Sequence, residues 1–252
     1  MSIDPNKPYV EVCIAPNNYY LYTEYNDIVV VIDVLRATSA ICAAMDSGVE
    51  RIIPVATVEE AREYIGRPNY IVAAERNGEI VEGFEYGNSP FNYLEKDLSG
   101  KTLVLSTTNG TKAIEIAKDA NTLVIASLLN LDAISEWLIA QERSTLLLCS
   151  GWKDKMNLED TICAGAIADQ MLAKPEFQSF EDSTIVAKYL CRSAIDGYMG
   201  LLKSSSHRRR LQKLKMNADI KYCLSPNQSK SIPILVDGAL VNLNKTVSLE
   251  NQ

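Results

Sequence analysis

Histidine occurs once in the 252 residues, at position 207. Zinc centres built on several imidazoles, and HExxH metalloprotease helices, need at least two, so neither is available to this chain. Cysteine is present six times, at Cys13, Cys42, Cys149, Cys163, Cys191 and Cys223, but never at CxxC spacing. Most of these positions lie in apolar stretches where a free thiol behaves as a small hydrophobe, and they read as reduced core residues. No window approaches the ~18 consecutive apolar residues of a membrane span. The stretch Met1–Tyr9 has no apolar core of the kind a signal peptide carries. Both absences lead to the expectation of a cytoplasmic protein that does not enter a membrane. Positive charge is also in short supply: 25 basic residues against 32 acidic ones leave a net charge of −7. Such a surface repels nucleic acid at long range, so no nucleic-acid partner is expected, and any anionic ligand must be held by a local positive site. Neither a GxxxxGK[ST] phosphate loop nor a GxGxxG dinucleotide fingerprint is present.

What is present is an ample supply of apolar residues, 47% of the chain, enough for a sizeable core. Short runs rich in Val, Ile and Leu recur at Tyr9–Ile14, Ile28–Ile32, Arg51–Val55, Tyr70–Ala73, Thr102–Leu105, Thr122–Ala126 and Thr145–Cys149. They are continuous rather than alternating, which predicts strands covered on both faces. Helical signals lie between them. Thr57-Val-Glu-Glu60 is a capping box, and Asn109–Ala120 and Leu131–Gln141 carry apolar residues at three-to-four spacing. The alternation predicts an α/β fold with three α/β/α layers around a largely parallel or mixed sheet. Beyond about residue 157 the pattern turns helical over Leu158–Ala173, Glu181–Leu202 and a basic stretch to Lys215, with strands expected at Ile220–Leu224 and Ile232–Val236. No linker-like composition interrupts the chain, so residues 1–252 read as one domain, with a second lobe from about residue 157 as the alternative. Assembly into a homo-oligomer is left open.

Ligands of parallel α/β sheets collect outside the carboxyl ends of the strands, where helix N-termini also point. Polar clusters sit at several of these ends. After the second predicted strand comes Asp33-Val-Leu-Arg36-Ala-Thr38-Ser39, pairing a candidate metal-binding carboxylate with a candidate phosphate-binding guanidinium. The alternative reading makes Thr38 or Ser39 an N-cap and leaves Asp33 and Arg36 as turn and surface residues. The fourth run leads into Glu75-Arg76, and Gly87-Asn88-Ser89-Pro90 follows, with Ser89 ready to cap a helix opened by Pro90. Ser106-Thr107-Thr108-Asn109-Gly110-Thr111 offers hydroxyls, an amide, backbone N–H groups and a helix dipole to an anion. Asn157-Leu-Glu159-Asp160 opens the next helix. Its two carboxylates lie about 100° apart on the helix and cannot both face one metal squarely, and a first turn favours acidic residues in any case. Cys163, one turn beyond Glu159, keeps a thiolate nucleophile open. With one histidine, oxygen ligands and a hard cation such as Mg2+ are the remaining metal chemistry. His207-Arg208 stands in a basic run that is either an anion site or a solvated helix face.

Taken in order over roughly residues 9–240, Asp33-Val-Leu-Arg-Ala-Thr-Ser39, Glu75-Arg76, Gly83-Phe84 with Gly87-Asn-Ser-Pro90, Thr107-Thr-Asn-Gly-Thr111, Asn157-Leu-Glu-Asp160 with Cys163-Ala-Gly165, and Ser206-His-Arg208 resemble the signature of the 2-phosphosulfolactate phosphatase family. The resemblance implies an α/β/α fold and a magnesium-dependent acid phosphatase of coenzyme M biosynthesis, converting 2-phosphosulfolactate to 3-sulfolactate and phosphate. It makes Asp33, Glu75, Glu159 and Asp160 candidate Mg2+ ligands. Asp33, Glu159, Asp160 and Cys163 become the catalytic candidates. Arg36, Arg76, Asn88, Ser89, Thr107, Thr108, Asn109, Gly110, Thr111, His207 and Arg208 become binders of a small anionic phosphate ester. Asp33 lacks the second aspartate of a DxD pair, since Leu35 fills that position, which favours attack by water over an aspartyl-phosphate. Ser206 and a third consecutive arginine, Arg210, stand where the pattern expects an alanine and a less basic run, and bear on substrate choice. The alternatives are a phosphatase for another small phosphorylated hydroxy acid and a non-catalytic anion-binding relative.

Overall fold

The computed structural model of the protein describes residues 4–25, 27–194 and 197–245. Ten strands form one sheet: β1 (Val10–Cys13), β2 (Ile28–Ile32), β3 (Arg51–Pro54), β4 (Tyr70–Arg76), β5 (Glu79–Ile80), β6 (Thr102–Ser106), β7 (Leu123–Ala126), β8 (Thr145–Cys149), β9 (Pro233–Val236) and β10 (Ala239–Asn242). The helices are α1 (Ala37–Asp46), α2 (Val58–Arg62), α3 (Gly110–Ala117), α4 (Leu131–Gln141), α5 (Leu158–Met171), α6 (Asp182–Arg192), α7 (Tyr198–Leu201), α8 (Ser206–Lys213) and α9 (Asn217–Cys223).

The strand order is β1-β8-β2-β7-β9-β10-β3-β6-β4-β5. β1, β8, β2 and β7 are mutually parallel, as are β3, β6 and β4. Between the blocks lies the β9–β10 hairpin, antiparallel to β7 on one side and to β3 on the other. Three successive antiparallel junctions reverse the sense, so the two parallel blocks run in opposite directions along the ladder. Six junctions, each with the usual right-handed twist of roughly 20–25°, separate β2 from β4.

The layering follows from β2, which is buried at all five positions. Ile28, Val30 and Ile32 face one core with α4, α5, Leu211 and Ile220. Val29 and Val31 face the other, with Ala40, Ile41, Ala44 and Met45 of α1 and Ala113, Ile114 and Ala117 of α3. Period-two alternation thus divides β-branched side chains between two apolar layers, giving the three-layer α/β/α arrangement. α5 packs closely on α6 because Gly165 has no side chain: a Cβ there would stand 2.0 Å from the Ala187 carbonyl oxygen.

Most expected elements are present within a residue or two. The capping box is realised, with the Glu60 N–H donating to Thr57 Oγ1 at 3.1 Å and the Thr57 N–H donating to Glu60 Oε2 at 3.1 Å. The expected strand Ile220–Leu224 is instead part of α9. Asp219, Ile220, Cys223 and Leu224 are buried while Lys221 is exposed, which is helical spacing that a five-residue apolar run cannot distinguish from a strand. The expected helix Glu181–Leu202 is two helices: α6 ends at Arg192, and Gly197, at φ 81°, precedes α7, with residues 195–196 outside the described ones. Among the described residues, no helix is long and apolar enough to cross a membrane.

Candidate active site

The exits of β2, β4, β6 and β8, together with α8, surround one cavity. Its lining includes Asp33, Arg36, Glu75, Asn88, Thr108, Asn109, Trp152, His207 and Arg210. Each side chain is placed by local chemistry.

The chain leaving β2 turns sharply, and Thr38 closes the turn. The Asp33 N–H donates to Thr38 Oγ1 at 3.1 Å and the Thr38 N–H donates to the Asp33 carbonyl at 3.0 Å, while Ser39 Oγ donates to the Val34 carbonyl at 2.8 Å. Both hydroxyls therefore serve the first turn of α1, but not as its N-cap, which is Arg36. Asp33 is left at the cavity wall, 5% exposed. Burial pushes its carboxyl up to about 6. His207 and the Ala37 N–H oppose this, while Glu75 and Glu159 add to it. Gly110 faces it closely, since a Cβ on Gly110 would lie 2.5 Å from Ala37 Cβ and 3.0 Å from Asp33 Oδ2.

Arg36 is 4% exposed and held in place by Asp219, whose Oδ1 accepts from Nη1 at 2.9 Å, and by the Gly78 carbonyl. Glu75, at the end of β4, accepts from the Gly78 N–H, from Asn88 Nδ2 at 3.3 Å, and from the Thr108 N–H at 3.2 Å and Oγ1 at 3.1 Å. Because the carboxylate can only accept, Asn88 must present Nδ2 to it. Its Oδ1 is then turned elsewhere, and it is buried with no hydrogen-bond partner.

The polar loop after β6 is largely closed on itself. Thr107 and Thr111 exchange hydrogen bonds, N–H to Oγ1 in both directions at 3.1 Å, and Thr111 Oγ1 donates to the Thr107 carbonyl. Thr108 is committed to Glu75, so Thr108 and Asn109 are the loop residues that reach the cavity. Ser89 caps the short 3-10 turn Pro90–Asn92, accepting from the Phe91 N–H at 3.3 Å. Arg76 is spent on the Glu75 carbonyl at 2.6 Å and on Ser106 Oγ at 2.9 Å, and Arg208 donates to the Met199 carbonyl. Neither arginine lines the cavity.

Glu159 and Asp160 diverge, as their 100° separation requires. Asp160 is fully buried and ties two strand exits together, accepting from the Val34 N–H at 2.8 Å, the Gly151 N–H at 3.0 Å and Asn157 Nδ2 at 2.8 Å. Burial, with Asp33 and Glu159 beside it, pushes its carboxyl upward. Glu159, also fully buried, accepts from Ser205 Oγ at 3.1 Å and lies 2.7 Å from His207 Nδ1. His207 packs against Trp152, ring centroids 5.5 Å apart, and its Nδ1 contact leaves Nε2 for the cavity. Cys163 is fully buried in the core, does not line the cavity, and has its thiol raised well above the ordinary range by burial. That corrects the expectation of a thiolate nucleophile there, because such a thiol does not ionise near neutral pH.

Among the described residues no group of three or more His, Cys, Asp or Glu is placed to hold a metal ion. Glu75, Glu159 and Asp160 already accept from protein donors. Asp33, which accepts from the Ala37 N–H, faces the cavity, and Asn88 Oδ1 has no partner; both are hard oxygen donors of the kind taken by a cation that uses one or two protein oxygens and fills its other positions with water and phosphate. The sequence reading missed Trp152 and Asp219 as site residues. Trp152 had a signal, since it directly follows the strand exit Cys149-Ser150-Gly151; Asp219, 183 residues from its partner Arg36, had none.

A family model described as 2-phosphosulpholactate phosphatase matches residues 13–238. Three curated proteins, each named "Probable 2-phosphosulfolactate phosphatase", are similar over most of their length. That of Thermotoga maritima is 39% identical over 212 residues, covering 84% of this chain and 90% of its own. That of Symbiobacterium thermophilum is 36% identical over 220 residues, 86% and 94% respectively. That of Caldanaerobacter subterraneus subsp. tengcongensis is 34% identical over 229 residues, 87% and 95%.

Proposed function

The chain belongs to the 2-phosphosulpholactate phosphatase family and is thereby a phosphoric monoester hydrolase, and on that premise we propose that it hydrolyses 2-phosphosulfolactate to 3-sulfolactate and inorganic phosphate with Mg2+, in the cytoplasm and on the route to coenzyme M. The observation that carries the reading is that His207, on the wall of the cavity that also presents Asp33 and Arg36, is paired at 2.7 Å with Glu159 buried behind it.

Hydrolysis breaks the bond between phosphorus and the ester oxygen, forms a bond from phosphorus to the oxygen of water, and requires a proton on the departing alkoxide; the water's own proton leaves on the phosphate product and, through solvent, restores the one the imidazole gives up. Glu159 fixes the ring of His207 through Nδ1 and so keeps Nε2 turned to the cavity. Nε2 can then deliver a proton to the ester oxygen, the role that a carboxylate-oriented imidazole fills in acyl transfer. Arg36, unable to swing away because Asp219 and the Gly78 carbonyl grip it, offers a preorganised positive charge to the phosphate oxygens. The Thr108–Asn109 exit supplies polar contacts beside the α3 N-terminus. Asp33 and the Asn88 amide oxygen are the residues that would hold Mg2+. A divalent cation there supplies charge neutralisation and polarises the ester.

Glu159→Gln tests the pairing, since it keeps the shape and removes the charge. We expect kcat for 2-phosphosulfolactate to fall on the order of 100-fold or more with little change in KM. An unchanged kcat would remove His207 from the chemistry.

A further inference from the structure

Arg210 lines the cavity with a buried donor that has no protein partner. Its guanidinium lies over the Trp152 ring, 3.8 Å from the centroid, and its Nη2 is buried without a hydrogen-bond partner. Among the described residues no carboxylate forms an ion pair with it: Glu159, close enough to influence its charge, is engaged by His207 and Ser205. Arg36 is held by Asp219 and Gly78, and neither Arg76 nor Arg208, whose Nε is also buried without a partner, lines the cavity. A buried guanidinium N–H without an acceptor is costly, and the group best matched to it is an oxyanion. Stacking on Trp152 fixes the plane of the fork in advance.

Position supports the same conclusion. Arg210 stands three residues beyond His207 on α8, and residues at that spacing share a helix face with Cβ atoms about 5–6 Å apart. A substrate whose ester oxygen meets His207 therefore carries its neighbouring substituent past Arg210. We infer that Arg210, seated on Trp152, is the specificity-determining residue that binds the second anion of the substrate, a sulfonate or carboxylate on a carbon beside the phosphate. The inference rests on the phosphatase reading and adds to it the recognition of the non-reacting end.

The test compares the native chain with Arg210→Gln and Arg210→Lys on two esters: 2-phosphosulfolactate, and glycerol 2-phosphate, which has no second anion. We expect Arg210→Gln to lower the ratio of kcat/KM for the first over the second by roughly 10- to 100-fold, chiefly through KM, with Arg210→Lys intermediate because it keeps the charge but loses the fork and the stacking. Titration calorimetry with 3-sulfolactate and with inorganic phosphate gives a readout independent of turnover, and the substitution should weaken the first ligand by the same factor relative to the second. Equal losses on both esters, or no loss on either, would overturn the inference. Failure of the native chain to release phosphate from both esters would defeat the phosphatase reading. In that case 3-sulfolactate binding that Arg210→Gln abolishes would still support the anion site, and absence of such binding in the native chain would overturn it.

Discussion

Glu159 and Asp160 are neighbours in sequence with divergent environments. One accepts from a histidine and a serine at the cavity; the other gathers three N–H donors that join the exits of β2 and β8. Sequence reasoning could find the pair and the angle between them, but not their partners. His207 and Ser205 lie 48 and 46 residues from Glu159, and nothing local encodes that pairing. Asp33, Arg36, Glu75, Thr108 and His207 were legible because they sit at strand exits or in a polar run. The same rule also selected Arg76 and Thr107, whose bonds turn away from the cavity. Cys163 illustrates the limit of spacing as evidence, since one helical turn from Glu159 leads into the core. Cys163→Ala should accordingly keep kcat for phosphate release within about twofold of the native value while lowering stability by about 1 kcal/mol through the small cavity it leaves. A steady-state assay beside a denaturant melt checks both halves, and loss of turnover in a folded variant would return the thiol to the mechanism.

Elements were most legible where turn chemistry is explicit. Asn77-Gly78 and Asp237-Gly238 both have positive φ at both positions, 58° and 93° in the first and 48° and 76° in the second. They join β4 to β5 and β9 to β10 as two-residue hairpins. The Asp-Gly signal next to Ile232–Val236 thus already contained β10, which the periodicity reading passed over because four residues carry little pattern. Glu11 on β1 shows how one element is fastened to another: it is 2% exposed and accepts from the Phe180 N–H at 3.1 Å and Thr184 Oγ1 at 3.0 Å, which holds β1 to the start of α6. Burial raises its carboxyl above the ordinary 4.5, against those hydrogen bonds. The folded state therefore keeps this proton to higher pH than the unfolded chain. Stability from this residue is complete below the unfolded value and declines as pH rises from there through the folded one. Glu11→Gln, which cannot ionise, should flatten the fall in unfolding free energy above about pH 4.5. Parallel slopes in native and variant denaturation series would contradict the assignment.

At the scale of the molecule, one sheet carries strands from residue 10 to residue 242, yet its two parallel blocks oppose each other across the β9–β10 hairpin. Eight of the ten strands, and the layering, followed from continuous apolar runs covered on both faces; β5 and β10 did not. Strand order did not, because pairing between remote strands is set by packing rather than by any local signal. What the arrangement achieves is convergence. Exits of β2 and β8 from one block meet exits of β4 and β6 from the other, which lets Asp33, Glu75 and His207, backed by the buried Glu159, share a single cavity. We propose that this convergence forms a cation-dependent phosphatase site. The direct measurement is inorganic phosphate released from 2-phosphosulfolactate by the full chain in Mg2+, after excess EDTA, and after Mg2+ is restored. Release should stop with EDTA and recover with added Mg2+; no release in Mg2+, or release indifferent to EDTA, would show that no such site exists.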